Sequence, residues 1–205
     1  MATAPYILAS GSPQRATLLQ SLPFAFEIIP CPLREPHQKP RDTNFREWAM
    51  GVAYFKARYV AARNPGRWIL GADTIVVSDG VLFGKPTGIV DARRMLEHQA
   101  GRATQVITGV VLVRCPYEPG QTRRYLFATT TTVTMRDDLA AHEQYLASGD
   151  WAGKAGAYGI QTPAANDLLV ESIEGSFTNV IGLPMEQVEP LLCQVLSEEN
   201  ICRAG

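Results

Sequence analysis

The sequence predicts an α/β fold. Strand-like runs and helix-period segments follow one another along the chain, and three of the runs are long and rich in β-branched residues. A second observation is the stretch Leu8-Ala9-Ser10-Gly11-Ser12-Pro13-Gln14-Arg15, which reads as strand, hydroxyl-rich turn and helix start, with Leu18, Leu19 and Leu22 behind it. The third is bulk: 205 residues at 46% hydrophobic content fill a core large enough for one sizeable domain or two small lobes.

The opening turn has a local logic at each residue. Ser12 suits the N-cap, Pro13 suits the first helical position where no N–H is needed, and Gly11 lets the backbone approach a ligand. Free N–H groups, the positive end of the helix dipole, two hydroxyls and Arg15 then converge on a point that suits a phosphate. The same residues also describe an ordinary capped helix.

Residues 24–29 read as a short strand, and residues 30–40 as a proline-rich loop carrying Arg34, Glu35 and His37. On its own Glu35 is a solvated loop charge. Residues 44–62 place Trp48, Val52, Phe55 and Tyr59 at helical spacing, and Asn64-Pro65-Gly66 stops the helix. Lys56 follows Phe55, at the edge of that stripe, where a lysine snorkels to water or points into a cleft.

Residues 68–78 form a strongly apolar strand interrupted by Asp73, and Asp79-Gly80 is a hairpin turn. Burying an unpaired carboxylate costs several kcal/mol, so Asp73 needs a cation, a metal or a water-filled cleft. A two-residue turn pairs Ser78 with Val81 and, counting outward, Thr74 with Lys85, which brings Lys85 close to Asp73 as an ion-pair partner. Regular pleating would put those two on opposite faces, but Gly84 and Pro86 suggest that the pairing ends or bulges there.

Asp91 caps a helix running through Met95, Leu96 and Gln99 to Gly101. Residues 104–114 and 124–135 are long strands joined as a hairpin across a turn-rich segment. Asp137 or Asp138 caps the next helix, with Leu139, His142, Tyr145 and Leu146 along it; His142 is a surface or packing residue there. The glycine-rich Gly153-Lys154-Ala155-Gly156-Ala157-Tyr158-Gly159-Ile160-Gln161 permits close approach of another molecule and reads as a pocket wall. A strand over residues 168–173, a turn at Glu174-Gly175-Ser176 and a terminal helix follow, with Pro190 marking a kink or the true helix start.

Charge and cysteines exclude several classes. Nineteen basic against 20 acidic residues give a net charge of -1, so no global field draws the chain to nucleic acid or anionic lipid. Cys31, Cys115, Cys193 and Cys202 show no metal-finger or C-x-x-C spacing and read as reduced thiols. The N-terminal apolar run is too short for a signal or a membrane span, which makes a cytoplasmic location the default.

Four stretches together resemble the Maf family of nucleoside triphosphate pyrophosphatases, once named for septum-formation inhibition in bacteria. They are the opening motif, Gly71-Ala72-Asp73-Thr74 with Gly84-Lys85-Pro86, the glycine-rich stretch 153–161, and Gly175-Ser176-Phe177-Thr178-Asn179-Val180-Ile181-Gly182-Leu183-Pro184. Their order and spacing span nearly the whole chain, and Glu35 and Lys56 fall where the family carries a functional acid and lysine.

The resemblance implies an ITPase-like mixed twisted sheet flanked by helices, a single domain over residues 1–205 with two lobes around a deep nucleotide cleft, and a homodimer. It also implies Mg²⁺- or Mn²⁺-dependent hydrolysis of a nucleoside triphosphate to monophosphate and pyrophosphate. Asp73, Lys85, Glu35 and Lys56 are then the catalytic residues, with Asp73 the proton acceptor and Glu35 and Asp73 the metal ligands. Ser10, Ser12, Arg15 and Lys154 bind phosphate. These types suit the chemistry: cations neutralise a triphosphate held in line, and hard carboxylate oxygens suit Mg²⁺.

Base choice in the dTTP/UTP subgroup is associated with the positions of Gln14, Thr74 and Gln161. Thr74 and Gln161 match that subgroup, whereas Gln14 stands where Arg is usual, replacing a cation by a neutral amide. The loop around Arg34 and Glu35 also departs from the family's paired-acid pattern. Other readings are a 7-methyl-GTP pyrophosphatase and a non-catalytic nucleotide-binding regulator of cell division. A serine hydrolase lacks a G-x-S-x-G elbow and a histidine partner.

Overall fold

A computed structural model describes residues 5–36, 38–116, 122–160 and 168–204, with side chains described as far as residue 197. Among the described residues seven strands form one open mixed sheet: β1 (Tyr6–Leu8), β2 (Phe26–Ile28), β3 (Trp68–Ser78), β4 (Val81–Phe83), β5 (Ala103–Arg114), β6 (Arg123–Met135) and β7 (Val170–Glu174). The order across the sheet is β2-β1-β3-β5-β6-β7, with β4 paired to β3. β1 runs parallel to both β2 and β3, while β3–β4 and β6–β7 are antiparallel. The helices are α1 (Pro13–Leu19), α2 (Phe45–Ala61), α3 (Ile89–Gln99), α4 (Leu139–Ser148), α5 (Phe177–Ile181) and α6 (Met185–Ala204).

The chain divides into two compact units. The first comprises Met1–Asp73, Gly109–Ala128 and Gly182–Gly205. Its strands alternate strictly between two cores, as a period of two requires. Tyr6, Leu8, Trp68, Leu70, Val110 and Leu112 pack with Leu19 of α1 and with Val188, Leu192 and Val195 of α6. Ile7, Ala9, Ile69, Val111 and Val113 face Ala53, Ala57 and Val60 of α2 instead.

α2 carries a capping box, in which the Asn44 side chain accepts from the Glu47 amide and the Glu47 carboxylate accepts from the Asn44 amide. The predicted helix is there, but its buried face is not the aromatic one. Ala49, Val52, Ala53, Lys56, Ala57, Val60 and Ala61 are buried, whereas Trp48, Phe55 and Tyr59 are half-buried. The reason lies in the strands below. A Cβ on Gly71 would meet Ala53 O and Ala57 Cβ at 2.8 Å, and one on Gly109 would meet the Ala49 carbonyl carbon at 2.3 Å. So close an approach admits only small residues on the helix.

The second unit comprises Thr74–Thr108 and Thr129–Ile181. Its core gathers Val76, Phe83, Met95, Leu96, Val106, Val133, Tyr145, Tyr158 and Ile160. The hairpin pairs Ser78 with Val81, and Asp79 and Gly80 both take positive φ, the geometry of a tight two-residue turn. Its ladder ends at Val76 and Phe83, so the predicted pairing of Thr74 with Lys85 does not form. α3 starts two residues before Asp91, at a Gly88 cap, and the Asp91 carboxylate accepts instead from the Thr87 amide and hydroxyl. Asp138 is the cap of α4, accepting from the Ala141 amide, and Gly149 closes that helix in the left-handed region.

In the glycine-rich stretch, a single 3₁₀ turn spans Ala155–Ala157 and Gly156 has φ 69°. The group that comes close to Gly156 is the chain's own Val76, 3.0 Å from where a Cβ would stand. Pro190 lies inside α6, which begins at Met185, so it does not mark the start of that helix. His142 is a packing residue, 2% exposed.

Candidate functional site

The first unit brings a carboxylate, an ammonium and a second carboxylate together. Ile69, Gly71 and Asp73 share the face of β3 that looks toward α2. Lys56 stands in the middle of α2's buried face, 7% exposed, and its Nζ donates to Asp73 Oδ1 at 2.7 Å and to Glu35 Oε1 at 3.2 Å. Three expectations are corrected here. Lys56 does not snorkel, because the alanine stripe puts it over β3. The partner of Asp73 is Lys56 rather than Lys85, which is exposed beyond the end of the hairpin ladder. Glu35 is more than a solvated loop charge, since it closes the ion pair from outside.

The first turn belongs to the same unit. Ser12 caps α1, its Oγ accepting from the Arg15 amide at 3.4 Å and donating to Gln14 Oε1 at 2.8 Å. Ser10 Oγ accepts from the Ser12 amide at 3.3 Å and from Arg15 Nη1 at 3.0 Å. Arg15 is 8% exposed and its Nε donates to Gly182 O at 2.9 Å, so the guanidinium joins the first motif to the fourth. Burial pushes the Arg15 guanidinium below its ordinary value, and the negative charges of Asp73 and Glu35 oppose that shift. No sequence signal pointed to Gly182 as its acceptor.

In the second unit Thr74 is half-buried, its hydroxyl 2.9 Å from that of Thr108. Lys154 is half-buried with its Nζ 6.0 Å from the centroid of the Tyr145 ring. Burial pushes its ammonium below the ordinary lysine value, opposed by Asp150. Gln161 lies outside the described residues.

A family model described as "Maf-like protein" matches residues 5–195. The chain belongs to the Maf family. Curated relatives spread over nearly its whole length. One from Moorella thermoacetica is 42% identical over 91% of this chain and 92% of its own, and is named dTTP/UTP pyrophosphatase. A relative of the same name from Geobacter metallireducens is 41% identical over 90% of this chain and 93% of its own. Another from Nitratidesulfovibrio vulgaris is 42% identical over 93% of this chain and 88% of its own.

Two carboxylates that reach one ammonium offer converging hard oxygen donors, the set that Mg²⁺ and Mn²⁺ prefer in phosphate chemistry. No group of three or more His, Cys, Asp or Glu side chains gathers among the described residues. A divalent cation with few protein ligands and several from water and phosphate fits that count.

Proposed function

We propose that this Maf protein is a nucleoside triphosphate pyrophosphatase acting on dTTP and UTP, releasing the monophosphate and pyrophosphate. The observation that carries the reading is the buried contact of Lys56 with Asp73, closed by Glu35, in a chain about 40% identical to relatives named for that activity.

Asp73 accepts the proton of the water that attacks the α-phosphorus, with Lys56 fixing the carboxylate through Oδ1. Glu35 and Asp73 are the proposed ligands of Mg²⁺ or Mn²⁺, which when bound supplies positive charge to the phosphate oxygens. Ser10, Ser12 and the start of α1 offer hydrogen bonds to phosphate, and the Arg15 charge stands behind Ser10. Lys85 and Lys154 are proposed as a catalytic and a phosphate-binding cation, Gln14, Thr74 and Gln161 as residues that choose the base. A homodimer in the cytoplasm belongs to the same proposal.

The test is pyrophosphate release from dTTP, UTP, CTP and 7-methyl-GTP with Mg²⁺, in the wild type and in Asp73→Asn. The reading expects turnover of dTTP and UTP and its loss in the variant. Full activity of Asp73→Asn, or release from 7-methyl-GTP alone, would overturn it.

A further inference from the structure

The glycine-rich stretch folds into a turn that runs against the ordinary preferences of its residues. Gly156 and Ala157 both take positive φ, 69° and 63°, and Ala157 is fully buried. An alanine in that region carries backbone strain, which persists only where the surroundings over-determine it. Here they do. The Gly156 amide donates to Gly84 O at 3.0 Å, and the fully buried Gln99 donates from Nε2 to Gly156 O at 2.8 Å. The Ala157 amide donates to Lys154 O at 3.1 Å, closing the turn on the residue that begins it.

Tyr145 of α4 holds this turn at both ends. Beyond the strained pair, its hydroxyl accepts from the buried Gly159 amide at 3.1 Å. Before the pair, its ring stands under the Lys154 ammonium, 6.0 Å from centroid to Nζ. The side chain is 2% exposed, and burial pushes the phenol above its ordinary value, so the ring stays neutral and offers its negative face to the cation. The chain between helix and lysine is tied down as well: the Trp151 indole donates to Leu146 O at 3.1 Å, and the Lys154 amide donates to Trp151 O at 3.3 Å. A lysine stem is flexible, and the ring is what gives its charged end a defined place.

We infer that Tyr145 is a positioning residue for phosphate binding: its ring sets the Lys154 ammonium, and its hydroxyl holds the strained turn that follows that lysine. The inference rests on the proposed role of Lys154 as a phosphate-binding cation and names what places it. Tyr145 is buried, so it acts through Lys154 and not by touching the substrate.

The experiment measures kcat and KM for UTP and dTTP, the Kd of inorganic triphosphate and Tm, all with Mg²⁺, in the wild type, Tyr145→Phe, Tyr145→Leu, Lys154→Met and the Tyr145→Leu/Lys154→Met double variant. Phenylalanine keeps the ring and removes the hydroxyl, so Tm should fall while KM and Kd stay within about twofold. Leucine removes both, so KM and Kd should rise about three- to tenfold, the weight of a partly buried cation–π contact, with kcat nearly unchanged. In the Lys154→Met background leucine at 145 should raise them no further. Unchanged KM and Kd in Tyr145→Leu, an equal rise in Tyr145→Phe, or an equal rise with Lys154 already replaced overturns the positioning role alone. Unchanged KM and Kd in Lys154→Met removes the phosphate-binding reading of that lysine, and the role of Tyr145 with it. If the wild type hydrolyses neither UTP nor dTTP, the substrate reading falls, and the Kd of inorganic triphosphate still decides the role of Tyr145. Tyr145→Met yields the same comparison should the leucine variant not fold.

Discussion

A Cβ on Gly71 would come within 2.8 Å of the Cβ of Ala57, and this near contact is what sets Lys56 above Asp73. The pair is a matched loss of side chains, one on the strand and one on the helix. Gly71→Ala forces β3 and α2 apart or strains them, at about 1–3 kcal/mol. For a chain of this size each kcal/mol lowers Tm by about 2–4 °C. The same substitution at Gly51, on the exposed face of α2 with nothing near its missing Cβ, removes only the helix penalty of glycine and should raise Tm. Thermal melts of both variants, with turnover of UTP alongside, check the claim: Gly71→Ala should lose activity as well as stability. A Gly71→Ala protein as active and as stable as wild type would show that the close approach is unimportant.

Replacing Lys56 separates charge from volume. Lys56→Met keeps the stem but leaves Asp73 with no cation at Oδ1 in a site where both side chains are about nine-tenths buried. Removing one partner of a buried ion pair costs about 3–5 kcal/mol. Loss of a preorganised cation from phosphoryl chemistry lowers kcat about 10²–10³-fold. Pairing the variant with Asp73→Asn should recover much of the stability, because no buried carboxylate then lacks its cation and the remaining Glu35 is partly exposed, and none of the activity. Urea titrations and pyrophosphate assays of the single and double variants read the two effects independently.

Arg15 makes two contacts that a lysine cannot serve together. Its Nε holds Gly182 O and its Nη1 holds Ser10 Oγ, from one planar group. Arg15→Lys keeps a positive charge but loses one of these bonds, at about 1.5–3 kcal/mol for a charged donor. Ser10 then loses its fixed position, so KM for the triphosphate should rise more than kcat falls. Steady-state kinetics with UTP decide it; an unchanged KM would leave Arg15 with a purely structural role.

Much of this was legible in the sequence, for reasons that differ from element to element. β3 was readable at both ends because an apolar run met a Trp68 start and an Asp79-Gly80 turn. Asp73 was readable because a carboxylate inside such a run must find a partner. Which partner was not readable. The large aromatics of α2 dominated the helical pattern, whereas burial went to the small residues that two strand glycines demand, and this turned Lys56 inward. The Arg15 contact with Gly182 spans 167 residues and ends on a backbone carbonyl, which leaves no trace in residue type. The contact of Thr74 with Thr108 was hidden because threonines in strands are ordinary; a polar pair across the neighbouring strands β3 and β5 becomes visible only with the strand order.

His142 gives a pH dependence distant in logic from the triphosphate chemistry. The imidazole is 2% exposed on α4, and burial pushes it below the ordinary histidine value of 6.5. The backbone of Arg136 and the carboxylates of Asp138, Asp137 and Glu143 oppose the shift without cancelling it. The unfolded chain therefore takes up a proton at a higher pH than the folded one. The stability this represents is present in full above pH 6.5 and is lost as pH falls through that value toward the lower folded-state value. His142→Leu replaces the ring by an apolar side chain that cannot be protonated, so its Tm should fall less than that of the wild type between pH 7.5 and pH 5. Melts across that interval measure the difference. Parallel curves for the two proteins would place the acid sensitivity elsewhere.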